Sequence, residues 1–390
     1  MRVLMISDVY FPRVNGVSTS IQTFARELVA QGCAVTLLAP DYGPAASEPF
    51  EVIRIPSRYL PLDPEDRILR VGALRRRRPD LARRGFDLLH IHTPFVAHYS
   101  GLALARRLGI PTVESYHTFF EQYLDHYVPL VPAAWLRALA RRFSTAQCNA
   151  VDALVVPSQA MLEVLHGYGV RTLARVIPTG IELGQFGHGD GPRFRQRYGI
   201  PAQRPVLVHV GRLAFEKNVA FLLRMLVLVK ARLPEVLLVV AGEGPARRAL
   251  TDQARKLGLV DNILFVGYLG RDGPLEDCYS AGAAFVFASR TETQGLVLLE
   301  AMALGVPVVS TAVMGTREVL AQGRGSLIAP EDEQAFADRC AQVLTDPVLR
   351  ESLAREARAY AQSWSAPVLA QRLLGFYREI LESRRAPRRW

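Results

Sequence analysis

Short apolar runs punctuate this chain, and segments with apolar positions three and four residues apart lie between them. RVLMIS (residues 2–7) reads as a buried strand, followed by a Pro/Gly loop. From Ser18 to Ala30, the residues Ile21, Phe24, Ala25, Leu28 and Val29 fall on one helical face, and Gly32 closes the segment. VTLLAP, FDLLHIHT, IPTVESYHT and DALVVPS are further strand-like runs, with a helical pattern over 97–108 between two of them. Strand and helix alternate, so the fold class is α/β with a parallel sheet covered on both faces.

The pattern then restarts. RPVLVHVGR (204–212) reads as a strand entering a loop, 218–232 as a helix, and EVLLVVAGEG as a strand and turn. Residues 245–257 read as the next helix, followed by the strands NILFVGY, GAAFVFAS and VPVVST. The Pro/Gly-rich RVIPTGIELGQF (175–186) is a hinge between the two series. This divides the chain into 1–178 and 179–366, two doubly wound domains with a cleft between them. A last helix over about 367–385, in the segment 367–390, is expected to pack back on the first domain. Ligands of open α/β sheets bind beyond the carboxyl ends of the strands, so the loops that follow strands carry the chemistry.

Length and composition agree with this division. At 390 residues the chain is too long for one ordinary core. No apolar run reaches the roughly 18–20 residues of a membrane span, and MRVLMISDVYFP lacks the features of a secretory leader. The four cysteines, Cys33, Cys148, Cys278 and Cys340, have neither metal-ligand nor disulfide-framework spacing. Buried thiols in a reducing cytoplasm are the expectation. The net charge of +10 points to an anionic partner. It is concentrated: residues 54–84 hold ten arginines and four acids. No helix-turn-helix, RNA-recognition or zinc pattern is present, which argues against nucleic acid.

Four loops can carry chemistry. Asn15-Gly16 precedes a helix whose expected N-cap is Ser18; it reads either as a plain turn or as a place where backbone approaches an anion. GRLAFEKN (211–218) sets Arg212 and Lys217 before a helix, which suits a diphosphate or else a solvated surface. Only three of the 47 basic residues are lysines, so lysine is seldom used here for solvation alone. GEGP (242–245), with Pro245 at the first helical position, reads better as a structural turn than as a nucleotide loop. His117 ends a strand, where a structural and a catalytic role are equally open.

The fourth loop is RTETQGLVLLEAMALGVPVV (290–309). It predicts a helix from about Gln294 to Leu304, with Thr293 as N-cap and Gly305 and Pro307 as its stop. The first backbone N–H groups, at Gln294 to Val297, carry partial positive charge and would seat a phosphate, with Gly295 keeping the approach clear. Carboxylates repel phosphate, so Glu292 and Glu300 suit hydroxyls on either side of it. The alternatives are dipole compensation for Glu292 and an ordinary helix position for Glu300. The apolar surround of Glu300 makes an unpaired carboxylate there costly.

NGV, YHT, PTGIE, GRLAFEKN, GEGP and TETQGLVLLEAMALGVPVV occur in the order and spacing of the retaining family 4 glycosyltransferases of GT-B fold, and the resemblance covers nearly the whole chain. YFPRVNGVSTS, HTPF and SYHTFFEQYLDHY are most similar to the lipid glycosyltransferases, which act on diacylglycerol or phosphatidylinositol. The resemblance implies two Rossmann-like domains and a nucleotide-sugar donor, UDP-glucose or GDP-mannose, held mainly by the second. Arg212 and Lys217 would hold the diphosphate, Glu300 the ribose diol, and Glu292 the transferred sugar. The backbone of Gly295, Leu296 and Val297 would meet phosphate and sugar oxygens. Gly16 would approach the diphosphate, and His117 would lie near the sugar and acceptor. His117, Arg212, Lys217 and Glu292 make up the implied catalytic set. Many relatives have two glycines where this chain has Asn15-Gly16, and Asn tolerates the same backbone angles. No metal and no cofactor beyond the co-substrate are implied.

A lipid acceptor fits the basic segments. LRVGALRRRRPDLARRG (69–85) joins Arg75, Arg76, Arg77 and Arg78 to Leu69, Val71, Leu74 and Leu81. VPAAWLRALARRF (131–143) joins Arg137, Arg141 and Arg142 to Trp135, Leu136, Leu139 and Phe143. Both are expected to lie in an anionic membrane interface, making the chain a peripheral protein on the cytoplasmic face of the cell membrane. A polysaccharide or soluble-sugar acceptor keeps the same chemistry. A silent binding module on the same scaffold is disfavoured by the intact set Arg212, Lys217, Glu292 and Glu300.

Overall fold

The computed structural model describes residues 1–43, 47–60, 63–117 and 133–385. The FFEQYLDHY run and the first residues of 131–143 lie outside the described residues. The chain forms two compact units, 1–180 with 366–390, and 181–365.

In the first unit a seven-stranded, all-parallel sheet has the order β3-β2-β1-β6-β7-β8-β9. The strands are β1 (Arg2–Ile6), β2 (Ala34–Pro40), β3 (Glu51–Ile55), β6 (Leu88–Ile91), β7 (Thr112–Ser115), β8 (Ala153–Val156) and β9 (Leu173–Val176). Between β3 and β6 an antiparallel hairpin, β4 (Ser57–Leu60) and β5 (Asp63–Leu69), leads into helix α2 (Val71–Arg83). The other helices are α1 (Gly16–Ala30), α3 (Val96–Leu108), α4 (Ala133–Cys148) and α5 (Gln159–Gly167). β6, β7 and β8 are buried along their whole length, as strands covered on both faces must be.

The second unit is a six-stranded parallel sheet of order β12-β11-β10-β13-β14-β15. Its strands are β10 (Val206–Val210), β11 (Leu237–Ala241), β12 (Ile263–Gly267), β13 (Ala284–Phe287), β14 (Val308–Ser310) and β15 (Ser326–Ile328). Its helices are α6 (Gly191–Arg197), α7 (Val219–Arg232), α8 (Arg247–Lys256), α9 (Pro274–Ser280), α10 (Leu296–Ala303), α11 (Gly315–Leu320), α12 (Glu333–Thr345) and α13 (Pro347–Gln362). Strand alternation divides the core in two. Val206, Val208 and Val210 join Val239, Phe285 and Leu298 in one layer. Leu207 joins Leu238, Val240, Val286 and Leu222 in the other. The last helix, α14 (Ala366–Arg385), belongs to the first unit, where it packs against α1. Arg175 on β9 ties it down through Glu379 at 2.7 Å. Among the described residues no helix is long and apolar enough to cross a membrane.

Three expected helix starts differ. The N-cap of α1 is Asn15, whose side chain accepts from the Ser18 N–H at 2.8 Å, so the helix begins at Gly16 and Ser18 lies within it. A short amide ahead of the helix caps as well as a hydroxyl, and the earlier residue won. Helix α8 begins at Arg247, which leaves Pro245 in the preceding turn. Helix α10 begins at Leu296, with Gly295 as its left-handed cap residue (φ 90°), and not at Gln294 after Thr293.

Candidate active site

In the second unit the loops after β10, β11 and β13 carry the predicted donor residues. After β10 the chain makes a 3-10 turn at Phe215–Lys217 and enters α7 through Asn218, a non-glycine residue in the left-handed region (φ 55°). Asn218 is held there by its amide, which donates to the Ala288 carbonyl and to Glu331, both at 3.2 Å. The GEGP turn braces this loop from behind. Leu213 N–H donates to the Glu243 carbonyl at 2.9 Å, and Ala246 N–H to the Leu213 carbonyl at 2.8 Å. A Cβ on Gly242 would lie 1.9 Å from the Gly211 oxygen, and one on Gly244 2.4 Å from the Leu213 oxygen. Backbone packing therefore accounts for both glycines, as a structural turn requires.

Lys217 and Glu292 form an ion pair, so the sequence-predicted cation and the first carboxylate meet. Arg212 is exposed on the same loop, and among the described residues no carboxylate pairs with it. Beneath the pair, His209 of β10 is fully buried, and its Nδ1 donates to the Val286 carbonyl at 3.1 Å. Burial pushes its pKa down to about 4.

Glu300 lies in the second turn of α10 and is 2% exposed. It is not alone among apolar residues. The Arg271 guanidinium donates to Oε1 at 2.6 Å and the Tyr279 hydroxyl to Oε2 at 2.7 Å. Sequence reasoning missed both partners. They lie 29 and 21 residues upstream, beyond β12 and on α9, with no local pattern linking them to Glu300. The one available signal was the carboxylate in an apolar surround, which demands partners from elsewhere. Gly295 sets the start of α10: at φ 90° a side chain is strained, and a Cβ would come within 2.9 Å of Thr316. Leu296 and Val297 follow, with backbone N–H groups at the positive end of the helix. After β14, Ala312 and Met314 also take positive φ (51° and 54°), and Gly315 N–H donates to the Glu292 carbonyl at 2.9 Å. Strained backbone at this turn is held in place against the Glu292 loop.

In the first unit Gly16 is exposed at the start of α1, and a Cβ there would meet nothing within 4 Å. Nothing in the fold requires this glycine. His117 is half-buried at the end of β7 and is part of a histidine stack. Its ring lies 5.9 Å from His92, which lies 4.1 Å from His90. His90 bridges Tyr377 of α14 at 2.5 Å and Ser115 at 2.9 Å. Burial lowers His117 to about 4 and His90 to about 3, and drives His92 well down. The rings are therefore neutral near pH 7. Beside them, Asp8 after β1 accepts from Thr93 at 2.9 Å and from the Ala97 N–H at 3.0 Å. Burial outweighs these bonds and lifts its pKa to about 6. The runs FDLLHIHT and RVLMISD carried these residues in the sequence, but strand burial hid their side-chain roles.

The basic segments differ from expectation in one respect. Leu69, Leu74 and Leu81 are 2% exposed or less: Leu69 ends β5, and α2 turns Leu74 and Leu81 into the first unit's core. That helix presents Arg75, Arg76 and Arg77 outward, with Arg78 half-buried. Apolar exposure near it comes from Val71, Tyr59 and Ile68. On α4, Leu136 is buried, whereas Trp135 and Leu139 are 76% and 63% exposed beside Arg137, Arg141 and Arg142.

The comparisons with known proteins agree with these loops. Residues 14–185 match the family model described as Glycosyltransferase Family 4, and residues 190–360 match Glycosyl transferases group 1. The chain is 34% identical over 322 residues to an alpha-monoglucosyldiacylglycerol synthase of Streptococcus pneumoniae, spanning 80% of this chain and 71% of that protein. It is 30% identical over 402 residues to a GDP-mannose-dependent alpha-mannosyltransferase of Mycobacterium tuberculosis, spanning 97% of each. Among solved structures, a sucrose-phosphate synthase from Thermosynechococcus elongatus is similar at a TM-score of 0.78 and 23% identity, over 98% of this chain and 99% of that one. That last likeness concerns the fold. The chain thus belongs to the family 4 (group 1) glycosyltransferases and is a nucleotide-sugar-dependent hexosyltransferase of GT-B fold.

Proposed function

We propose that the protein moves a hexose from UDP-glucose or GDP-mannose to a lipid hydroxyl, such as that of diacylglycerol or a phospholipid head group, at the cytoplasmic face of the cell membrane. The observation that carries the donor half is the meeting of Lys217 with Glu292 beside the start of α10, with Glu300 held one turn further in. Cations and helix start suit the diphosphate, Glu292 the sugar and Glu300 the ribose. Arg212 and Lys217 stabilise charge developing on the leaving diphosphate. Glu292 orients the transferred sugar while keeping Lys217 placed. Gly295 to Val297 offer backbone donors to phosphate and sugar oxygens. Glu300 accepts from the ribose hydroxyls.

In the reaction the bond from the sugar C1 to the β-phosphate oxygen breaks, and its electrons leave with the nucleotide diphosphate. The acceptor hydroxyl oxygen bonds to C1 from the same face, and its proton passes to the departing phosphate oxygen. Configuration is retained through an oxocarbenium-like transition state, without a metal. Gly16 gives the diphosphate open backbone at the start of α1, and neutral His117 contacts the sugar and acceptor. The lipid half is supported by the names of the relatives and by Trp135 and Leu139, exposed among arginines on α4. Arg75 to Arg78 on α2 add charge that attracts anionic lipid.

The test is transfer from UDP-, GDP- and ADP-hexoses to diacylglycerol or phosphatidylinositol in vesicles, read by mass spectrometry with anomeric assignment by NMR. A retained-configuration glycolipid is the expected product. Full activity on a polysaccharide or soluble sugar without lipid would replace the lipid reading with that one.

A further inference from the structure

The carboxylate of Glu300 is held on both oxygens by groups from outside its own helix. Arg271 takes Oε1 and Tyr279 takes Oε2. Both partners are themselves fixed. Tyr279 is fully buried on α9, its ring 5.4 Å from Phe285 and 6.5 Å from Phe186. The Arg271 guanidinium lies 5.4 Å over Phe186, and its carbonyl accepts from Gln185 at 2.7 Å. Gln185 also donates to Glu276 at 3.0 Å, and Glu276 in turn accepts from the Gly273 N–H at 3.0 Å. The loop between β12 and α9 is thereby pinned at Arg271 and Gly273, next to α9. Burial opposes the charge on Arg271, but Glu300 outweighs it and raises its pKa. Burial, and then Glu300, drive the Tyr279 hydroxyl well up, so it stays a donor.

We infer that Arg271 and Tyr279 are positioning residues that present Glu300 as a preoriented, acceptor-only surface and so set the enzyme's preference for a donor with an intact ribose diol. This rests on the reading of Glu300 as the ribose-binding group. Both partners can only donate to the carboxylate, so Glu300 must accept from each. One bond to each oxygen leaves further lone pairs on both, spaced to accept from two vicinal hydroxyls. Phosphate, which brings negative oxygens, is repelled by the same surface. The Arg271 side chain is 23% exposed and that of Glu300 3%, so a ribose hydroxyl would approach the carboxylate from the Arg271 side. Preorganisation of this kind acts chiefly on donor affinity, because the ribose lies away from the reacting carbon.

The experiment compares ribo- and 2′-deoxyribo-forms of the accepted nucleotide sugar in the wild type, Glu300→Gln, Tyr279→Phe and Arg271→Lys. The wild type is expected to prefer the ribo-donor. Glu300→Gln should remove most of that preference; if it does not, the ribose reading itself fails. Given that loss, Tyr279→Phe should raise KM for the ribo-donor about ten-fold, with kcat within two-fold, and leave KM for the deoxy-donor nearly unchanged. Arg271→Lys, which keeps the charge but loses the fork, should give a smaller shift of the same kind. If both variants fold and retain the wild-type ribo-to-deoxy ratio while Glu300→Gln loses it, the positioning role is overturned. Should Tyr279→Phe not fold, Arg271→Lys decides by the same ratio.

Discussion

Lys217 and Glu292, 75 residues apart in the chain, meet in an ion pair whose side chains are only 15% and 18% exposed. A cation expected on a diphosphate and a carboxylate expected on a sugar thus hold each other before any donor arrives. The pair has two roles, and they are separable. Lys217→Ala is expected to reduce turnover at least 100-fold, and Glu292→Gln by a similar factor. Removing either partner leaves a half-buried charge short of a bond, at a cost of about 1–2 kcal/mol in stability. The double variant should be less unstable than the sum of the singles. Steady-state kinetics with urea unfolding checks both. Undiminished kcat/KM in either single variant would remove the pair from the chemistry.

Glycines divide the same way. Gly16 has open space where a side chain would go, whereas Gly242 has φ 134° and an oxygen 1.9 Å from where its Cβ would be. Gly16→Ala should therefore leave the melting temperature unchanged and lower donor affinity at least ten-fold. Gly242→Ala should destabilise the protein by about 2 kcal/mol or more. Differential scanning fluorimetry beside donor titration separates them. A Gly16→Ala enzyme with full donor affinity would place the diphosphate elsewhere.

The fold was legible because it depends on periodicity. Strand runs such as LLVVA at β11 are uniformly apolar, and that is the signature of burial on both faces. β9 was missed since its pattern is half exposed and only four residues long, and β4 and β5 since they alternate weakly. In the site, loop residues ahead of helices were readable because their chemistry is local. Arg271 and Tyr279 were not, because what selects them is a contact with Glu300 on a separate element, 29 and 21 residues further on. His90 and His92 were hidden for a related reason: in an apolar strand, a histidine's partner is set by neighbouring strands. The inward turn of Leu74 and Leu81 was misjudged because an amphipathic helix has the same periodicity on a core as on a membrane.

The histidine stack makes stability depend on pH. His90, His92 and His117 have folded pKa values below the ordinary 6.5, so below that pH the unfolded chain binds more protons. Stability is expected to be full above pH 6.5 and to fall as pH drops toward 4. The slope is about 1.4 kcal/mol per pH unit for each proton. Asp8, raised to about 6, and Glu114, also raised by burial, act the other way. Each binds its proton first in the folded state and offsets part of the loss. Urea midpoints from pH 7.5 to 5.0 should decline, and His117→Gln should reduce the slope by close to one proton. An unchanged slope in that variant would show that His117 is protonated in the folded state as readily as in the unfolded one.

The two basic helices give different expectations for membrane attachment, apolar contact on α4 and charge alone on α2. On α4, Trp135 and Leu139 are one turn apart and outward, with Arg137, Arg141 and Arg142 flanking them. Arg141 also lies 5.4 Å over the Tyr168 ring, which fixes it partly to the protein. Replacing Trp135 and Leu139 by Ser should weaken flotation with anionic vesicles about ten-fold or more and leave stability nearly intact. Converting Arg75, Arg76 and Arg77 to Ser removes charge worth about 1 kcal/mol per residue near an anionic surface. It should weaken binding to anionic vesicles and flatten its salt dependence, while the residual binding to neutral vesicles stays as it was. Leu74→Ala removes no membrane contact; it should instead cost about 2–4 kcal/mol of folding stability, as a cavity in the core of the first unit does. Flotation of the Trp135/Leu139 variant equal to wild type would move the lipid contact off α4. Loss of flotation in Leu74→Ala without loss of stability would return the α2 stripe to the membrane.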